Sequence, residues 1–180
     1  CLSFFHNFIK FLRSEMLASD FKQIFEPISL SEMDAVKLMN RVDTKYVLNR
    51  DLLPAILEEI QNNYFILEIG NERIFQYNSL YYDTDKDYMY LAHHNGKLNR
   101  YKIRFRKYVA SELCFLEIKY KFKGNRTIKH RTKIEEMETA LSERSIAFID
   151  KYTPFNNKKL TPKIYTNFSR MTLVSKELTE

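Results

Sequence analysis

The clearest pattern in the chain lies between residues 98 and 135, where polar and apolar side chains alternate with the period of two that a β-strand imposes. Three runs carry it, near 98–108, 113–123 and 127–135. Ala110-Ser111 and Gly124-Asn125 separate them and are short enough for antiparallel hairpins. Upstream, Ser29 with Glu32 three residues on reads as a capping box. It opens a helix near 30–40 with Leu30, Met33, Val36, Leu38 and Met39 as apolar positions. Residues 42–48 read as a strand. Asp51 can cap a second helix near 52–62, whose first turn tolerates Pro54. Runs 64–69 and 72–82 predict a hairpin turning at Gly70-Asn71, and Asp85 begins a short helical or turn segment through Tyr90, closed by Asn95-Gly96. A helix near 136–150, a loop around Pro154 and Pro162, and a strand near 163–174 complete the chain. No internal repeat or low-complexity tract interrupts this order. It predicts an α+β fold, an antiparallel meander with flanking helices that most easily makes a sandwich or a β-barrel.

At 180 residues the chain has one domain's length and can bury a real core. Only three Gly and four Pro argue against a loop-rich or disordered chain, and 12 Tyr with 14 Phe favour strands. Residues 1–25 read as an N-terminal extension and 26–180 as the folded domain. The first 15 residues are apolar but short, and Lys10 and Arg13 interrupt them, so they are neither a membrane span nor a signal peptide. They read as an upstream extension with Met16 as a natural start, or alternatively as an amphipathic helix on a membrane surface. Cys1 and Cys114 make neither a disulfide framework nor a zinc site, which fits a reducing, cytoplasmic setting.

Charge changes the picture more. The net value is +6, yet between Lys97 and Lys133 there are 13 Lys or Arg against two acids, Glu112 and Glu117. On the strand pattern Arg100, Lys102, Arg104 and Arg106 share one face, opposite Tyr101, Ile103 and Phe105. In the next run Glu117, Lys119, Lys121 and Lys123 oppose Leu116, Ile118, Tyr120 and Phe122. In the third, Lys129, Arg131 and Lys133 oppose Ile128, Thr132 and Ile134, with His130 among them. A solvated outer face is the ordinary reading of any one such strand. Solvated faces mix signs, however, because like charges opposite one another are destabilising. A face that is almost wholly positive across three neighbours makes sense when an anion neutralises it.

Phosphate suits that face, since Arg offers planar bidentate donors and Lys point charges. Nucleic acid is not expected: base stacking needs aromatics interleaved with the cations, and here Tyr and Phe fall on the opposite, core-like face. No glycine-rich phosphate loop is present, and no Ser-His-Asp or Cys-His pairing stands out. His93 and His94 lack clustered partners and read as packing or surface residues.

Five segments resemble a known family in order and spacing: RVDTKYVL (41–48), YNSLYYDT (77–84), HHNGKLNRYKIRFRKY (93–108), FLEIKYKFKGNRTIKHR (115–131) and PKIYTNFSR (162–170). Together they resemble the VTC domain, the polyphosphate polymerase domain of the vacuolar transporter chaperone complex and its bacterial relatives. That domain belongs with the CYTH-type enzymes in the triphosphate tunnel metalloenzyme superfamily. The resemblance implies an antiparallel barrel whose tunnel holds ATP and polyphosphate. It implies transfer of the γ-phosphate to a polyphosphate chain, assisted by a divalent metal, manganese or magnesium. It implies phosphate contacts from Lys45, Arg104, Arg106, Lys119, Lys129 and Arg170, with Arg100, Lys102, Lys121 and Arg131 in lesser roles. Membrane association would come through a partner or the N-terminal extension.

Two departures qualify this. Tunnel triphosphatases begin with Glu-x-Glu-x-Lys, whereas Arg41-Val42-Asp43-Thr44-Lys45 stands here, a cation replacing the first acid. That fits the polymerase branch. The family's last strands and its metal-binding glutamate are also expected beyond Glu180, which implies an incomplete barrel with unpaired edges. A non-catalytic polyphosphate-binding module and a tunnel triphosphatase therefore stand as alternatives. Glu117 is the carboxylate that could be recruited for metal, with an ion pair to Lys119 or Arg104 as its other reading.

Overall fold

The computed structural model describes residues 23–34, 44–122, 126–155 and 159–177. The expectations for residues 1–15 and Met16, for positions 35–43, and for Lys123 and the Gly124-Asn125 turn lie outside them. The chain divides into two units, one running to Ile74 and resuming at Met171, the other spanning Phe75–Arg170.

In the first unit β1 (Pro27–Ile28), β2 (Tyr64–Leu67) and β8 (Leu173–Ser175) form a three-stranded sheet in the order β1-β2-β8. The first pair is parallel and the second antiparallel. The capping box forms as the sequence predicts at the start of α1 (Leu30–Asp34). Ser29 Oγ accepts from the Glu32 amide at 3.3 Å, and Glu32 Oε2 accepts from the Ser29 amide at 2.9 Å. Helix α2 (Leu53–Ile60) carries Pro54 in its first turn, but the cap is Asn49. Its side chain accepts from the Asp51 amide and opens a 3-10 turn at Arg50–Leu52. Leu57 of α2 packs with Phe25 and Ile66 in a small core edged by Tyr64, Met171 and Leu173. Phe25 thus belongs to the fold, although the sequence boundary leaves it in the extension.

The strand expected at 42–48 does not form over its described part. Residues 44–49 are irregular and exposed, with Val47 wholly so. β-branched and aromatic composition suggested a strand there, but a strand also needs a ladder partner. At Gly70-Asn71 both residues take left-handed φ values, +57° and +65°, as a tight hairpin turn requires. The hairpin itself shrinks to one bridge, Ile69 to Glu72, because β2 pairs with β1 and β8 instead.

The second unit holds the meander. β3 (Ile74–Thr84), β4 (Arg100–Tyr108), β5 (Cys114–Lys121), β6 (Thr127–Ile134) and β7 (Leu160–Met171) form a sheet in the order β6-β5-β4-β3-β7. The three successive pairs from β3 to β6 are antiparallel. Its apolar face bears Tyr82, Ile103, Phe105, Leu116, Ile118 and Ile134. They pack with Met89 of α3 (Tyr88–His94) and Ile149 of α4 (Glu143–Tyr152). Helix α4 begins seven residues later than the pattern suggests, because Ser142 is its N-cap and accepts from the Ser145 amide at 3.3 Å. The expected terminal strand is split, β7 joining this sheet and β8 the other.

The architecture is mixed α+β with two sheets. The antiparallel barrel is not found among the described residues, where the larger sheet ends on β6 at one side and β7 at the other.

A cationic sheet face as candidate functional site

Strand register fixes what the polar face presents, because residues paired across the ladder point the same way. One cross-strand row runs Lys102, Lys119, Lys129. The next along the strands runs Tyr81, Arg104, Glu117, Arg131, and the one after it Ser79, Arg106, Phe115, Lys133. Arg100 pairs with Lys121 on the other flank. Eight of the ten proposed site residues, and Glu117 with them, therefore share one face of β4, β5 and β6, as the alternation predicts. Arg170 lies exposed near the end of β7, and Lys45 lies exposed on the irregular segment of the other unit.

Glu117 is wholly buried at the middle of this face. Its Oε2 accepts from Arg104 Nε at 2.9 Å and Nη2 at 2.7 Å, while Lys129 Nζ lies 2.7 Å from Oε1. Burial works to raise the carboxyl's pKa. The hydrogen bonds and charges of Lys129 and Arg104 outweigh it and hold the group below the usual carboxylate value. Arg104 is 8 % exposed, and its third nitrogen, Nη1, donates to the Tyr81 hydroxyl at 3.0 Å.

Lys119 is in the opposite situation. Partial burial, then the charges of Arg104, Lys129 and Arg106, push its ammonium down from 10.5 to about 8, with Glu117 partly offsetting them. Arg106 donates to Ser79 Oγ at 3.3 Å, and its guanidinium lies over the rings of Tyr77 and Phe168, which stack on each other at 5.3 Å. Arg131 lies 5.0 Å from the Phe115 ring centroid. Aromatic groups therefore do interleave with the cations, contrary to the sequence argument, which passed over Phe115 on β5 itself and left β3 and β7 out. The signal was present in 77–84, where Tyr77, Ser79 and Tyr81 alternate onto one face. Arg100 turns aside and donates to the Lys97 carbonyl at 2.7 Å.

A cavity of about 600 Å³ adjoins this face. Lys102, Tyr81, Tyr90, Met89, Lys163 and Ile164 are among its walls. Asp83 at its rim is occupied, its carboxylate accepting from the amides of Thr84, Met89 and Tyr90. Asp87 pairs with Lys163 at 3.1 Å. His94 stacks on Tyr90.

A divalent metal does not fit the described residues as they stand. Among them no three His, Cys, Asp or Glu side chains are placed to share an ion. Glu117, the candidate ligand, has both oxygens engaged by Arg104 and Lys129. The ion-pair reading of Glu117 holds, with Lys129 as the second partner where Lys119 was expected.

Fold and face together define a class: an α+β domain with an open, cation-lined antiparallel sheet. The model of the VTC domain matches residues 40–180, and the chain belongs to the VTC domain family. No curated protein matches it in sequence. Among solved structures it is similar to a Vibrio parahaemolyticus protein to which adenylate cyclase activity is attributed, at 11 % identity and a TM-score of 0.41. The alignment covers 73 % of this chain and 60 % of that one, so the chain spans less than two thirds of that neighbour's length. A likeness that loose carries no argument about function. No helix of the described residues is long and apolar enough to cross a membrane.

Proposed function

We propose that the cationic face binds the phosphates of ATP and polyphosphate, and that the domain extends polyphosphate at the expense of ATP. The observation that carries this reading is the row Lys102, Lys119, Lys129. Three ammonium-bearing residues placed side by side repel one another, and an anion lying across them removes that cost. Family membership favours the same ligands. Arg106, Arg131 and Lys121 flank the row as further phosphate donors. Lys45 and Arg170 enter only through the resemblance.

In the proposed reaction a terminal oxygen of polyphosphate attacks the γ-phosphorus of ATP in line. The bond from that phosphorus to the β–γ bridging oxygen breaks, ADP leaves, and the chain gains one phosphate. Phosphoryl transfer of this kind needs mainly positioning and neutralisation of the oxygens. The lysine row and Arg106 would hold both anions against their mutual repulsion. The adjoining cavity, with its tyrosines and apolar walls, suits the nucleoside end of ATP.

Incubation with ATP, manganese or magnesium and a short polyphosphate primer tests the reading on a gel. Lengthened chains support it. ADP and free phosphate without lengthening make the domain a triphosphatase. A second reading, a binding module without catalysis, is favoured by the engagement of Glu117, which leaves the described face without a metal-ligand set. Binding of tripolyphosphate with no turnover of ATP selects it.

A further inference from the structure

The cavity beside the cationic face has a charge pattern of its own. Two lysines and two aspartates share its wall, Lys102 and Lys163 with Asp83 and Asp87, so the cation excess of the sheet face stops at its mouth. That balance suits an uncharged group carrying hydrogen-bond donors better than it suits a further phosphate. The two acids are not equivalent. Asp83 is buried and committed to backbone, its carboxylate accepting from the amides of Thr84 at 2.7 Å, Met89 at 2.9 Å and Tyr90 at 2.8 Å. These bonds fasten the start of α3 to the end of β3 and leave Asp83 no part in binding.

Asp87 is fixed in place yet open. Its backbone takes a left-handed φ of +52°, which Asp accepts more readily than most residues. Its amide donates to the Thr84 carbonyl at 3.0 Å, and its own carbonyl accepts from the Leu91 amide at 2.9 Å. From β7, Lys163 Nζ lies 3.1 Å from Oδ1 and 3.4 Å from the Asp85 carbonyl. Half of the Asp87 side chain nevertheless stays exposed. The wall therefore offers a steadied carboxylate between Lys102, where the phosphate row begins, and the apolar surface of Met89 and Ile164.

We propose that Asp87 accepts hydrogen bonds from the 2′ and 3′ hydroxyls of the ribose of ATP. The proposal rests on the reading of the face as a phosphate site and of the cavity as the place of the nucleoside. Ribose stands between the α-phosphate and the base, as Asp87 stands between the lysine row and the apolar wall. A vicinal diol gives two donors that one carboxylate can accept together. Polyphosphate has nothing to donate to Asp87, so this contact tells the nucleotide end of the site from the path of the chain.

Charge and recognition predict opposite signs for one substitution. Asp87→Gly removes a negative charge near the face, and Gly adopts the left-handed φ freely. By charge alone, tripolyphosphate and ATP should both bind the variant more tightly. With Asp87 on the ribose, tripolyphosphate binds it equally or more tightly while ATP loses about tenfold. Calorimetric titrations in EDTA, which keeps metal-dependent turnover out of the heats, compare sodium tripolyphosphate, ATP, 2′,3′-dideoxy-ATP and purine riboside triphosphate. The unaltered chain should prefer ATP to the dideoxy nucleotide by about tenfold. Purine riboside triphosphate, which lacks only the exocyclic amine, should match ATP. In Asp87→Gly the preference over the dideoxy nucleotide disappears. Asp87→Asn keeps a neutral acceptor and tolerates the same backbone, so it serves if the glycine variant fails to fold, with the preference cut to about threefold. Equal affinity of the unaltered chain for ATP and the dideoxy nucleotide, or a preference that survives in both variants, overturns the proposal. A loss on removing the amine in place of the hydroxyls assigns Asp87 to the base and overturns it too. If tripolyphosphate itself does not bind, the phosphate reading of the face fails, and this proposal with it.

Discussion

Lys119 shows at the scale of one side chain how stability and ligand binding can oppose each other. Its ammonium is partly buried among Arg104, Lys129 and Arg106, and its pKa falls from 10.5 to about 8. Below pH 8 it is charged in both folded and unfolded chains, and the fold bears the full penalty. Between about 8 and 10.5 the unfolded chain binds more protons than the folded one, so this group's contribution to stability rises with pH. Lys119→Met keeps the aliphatic stem and removes the charge. It is expected to raise the melting temperature at pH 7, with the advantage shrinking as pH climbs through that window. The same variant should lose most of its tripolyphosphate affinity. Melts and titrations on one set of samples check both halves. An unchanged melting temperature would mean that solvent already screens the charge.

Element by element, what was legible in the sequence depended on whether the information was local. The period-two runs of β4, β5 and β6 were readable because each strand buries one face, and a slip of one residue would expose Ile103, Phe105, Leu116 and Ile118. The cationic row followed from the same alternation. The Ser29–Glu32 box and the Gly70-Asn71 turn were readable because their hydrogen bonds or φ values lie within four residues. Partner choice was not readable. Nothing in residues 64–67 says that they join β1 and β8 in place of β3, and the exposed segment 44–49 has a strand's composition without a ladder. The start of α4, expected near 136, lies at Glu143, because Ser142 supplies the cap. Glu138 accepts from the Ser142 amide at 2.8 Å and hydroxyl at 2.9 Å. Ser142→Ala removes the acceptor for the Ser145 amide and the donor to Glu138. It is expected to cost about 1 kcal/mol, read as a lower urea midpoint with unchanged slope, and to leave phosphate affinity alone because α4 packs on the apolar face.

For the molecule as a whole, thirteen of the 29 basic residues fall between Lys97 and Lys133, within the second unit. A focused cationic field attracts any polyanion, so charge alone does not separate polyphosphate from nucleic acid. The aromatic groups on the face decide the matter, but not in the way their sequence positions suggest. Tyr77 and Phe168 are present among the cations, yet they stack on each other and Arg106 lies over both. Phe115 is covered by Arg131. A base stacking on these rings competes with the guanidinium contacts already made there, so single strands gain less from this face than open aromatic platforms would give. Phosphates spaced along a bare chain instead meet ammonium groups repeated at the strand spacing, about 4.8 Å apart in the backbone. Polyphosphate is therefore expected to bind more tightly than oligothymidylate carrying the same number of phosphates, by tenfold or more at 0.15 M salt. The logarithm of both binding constants should fall linearly with the logarithm of salt concentration, and the polyphosphate slope should be the steeper, because more cations are engaged at once. Competition titrations over a salt series measure this directly. Equal affinities with equal slopes would show that the face reads charge alone and would return nucleic acid to the set of ligands.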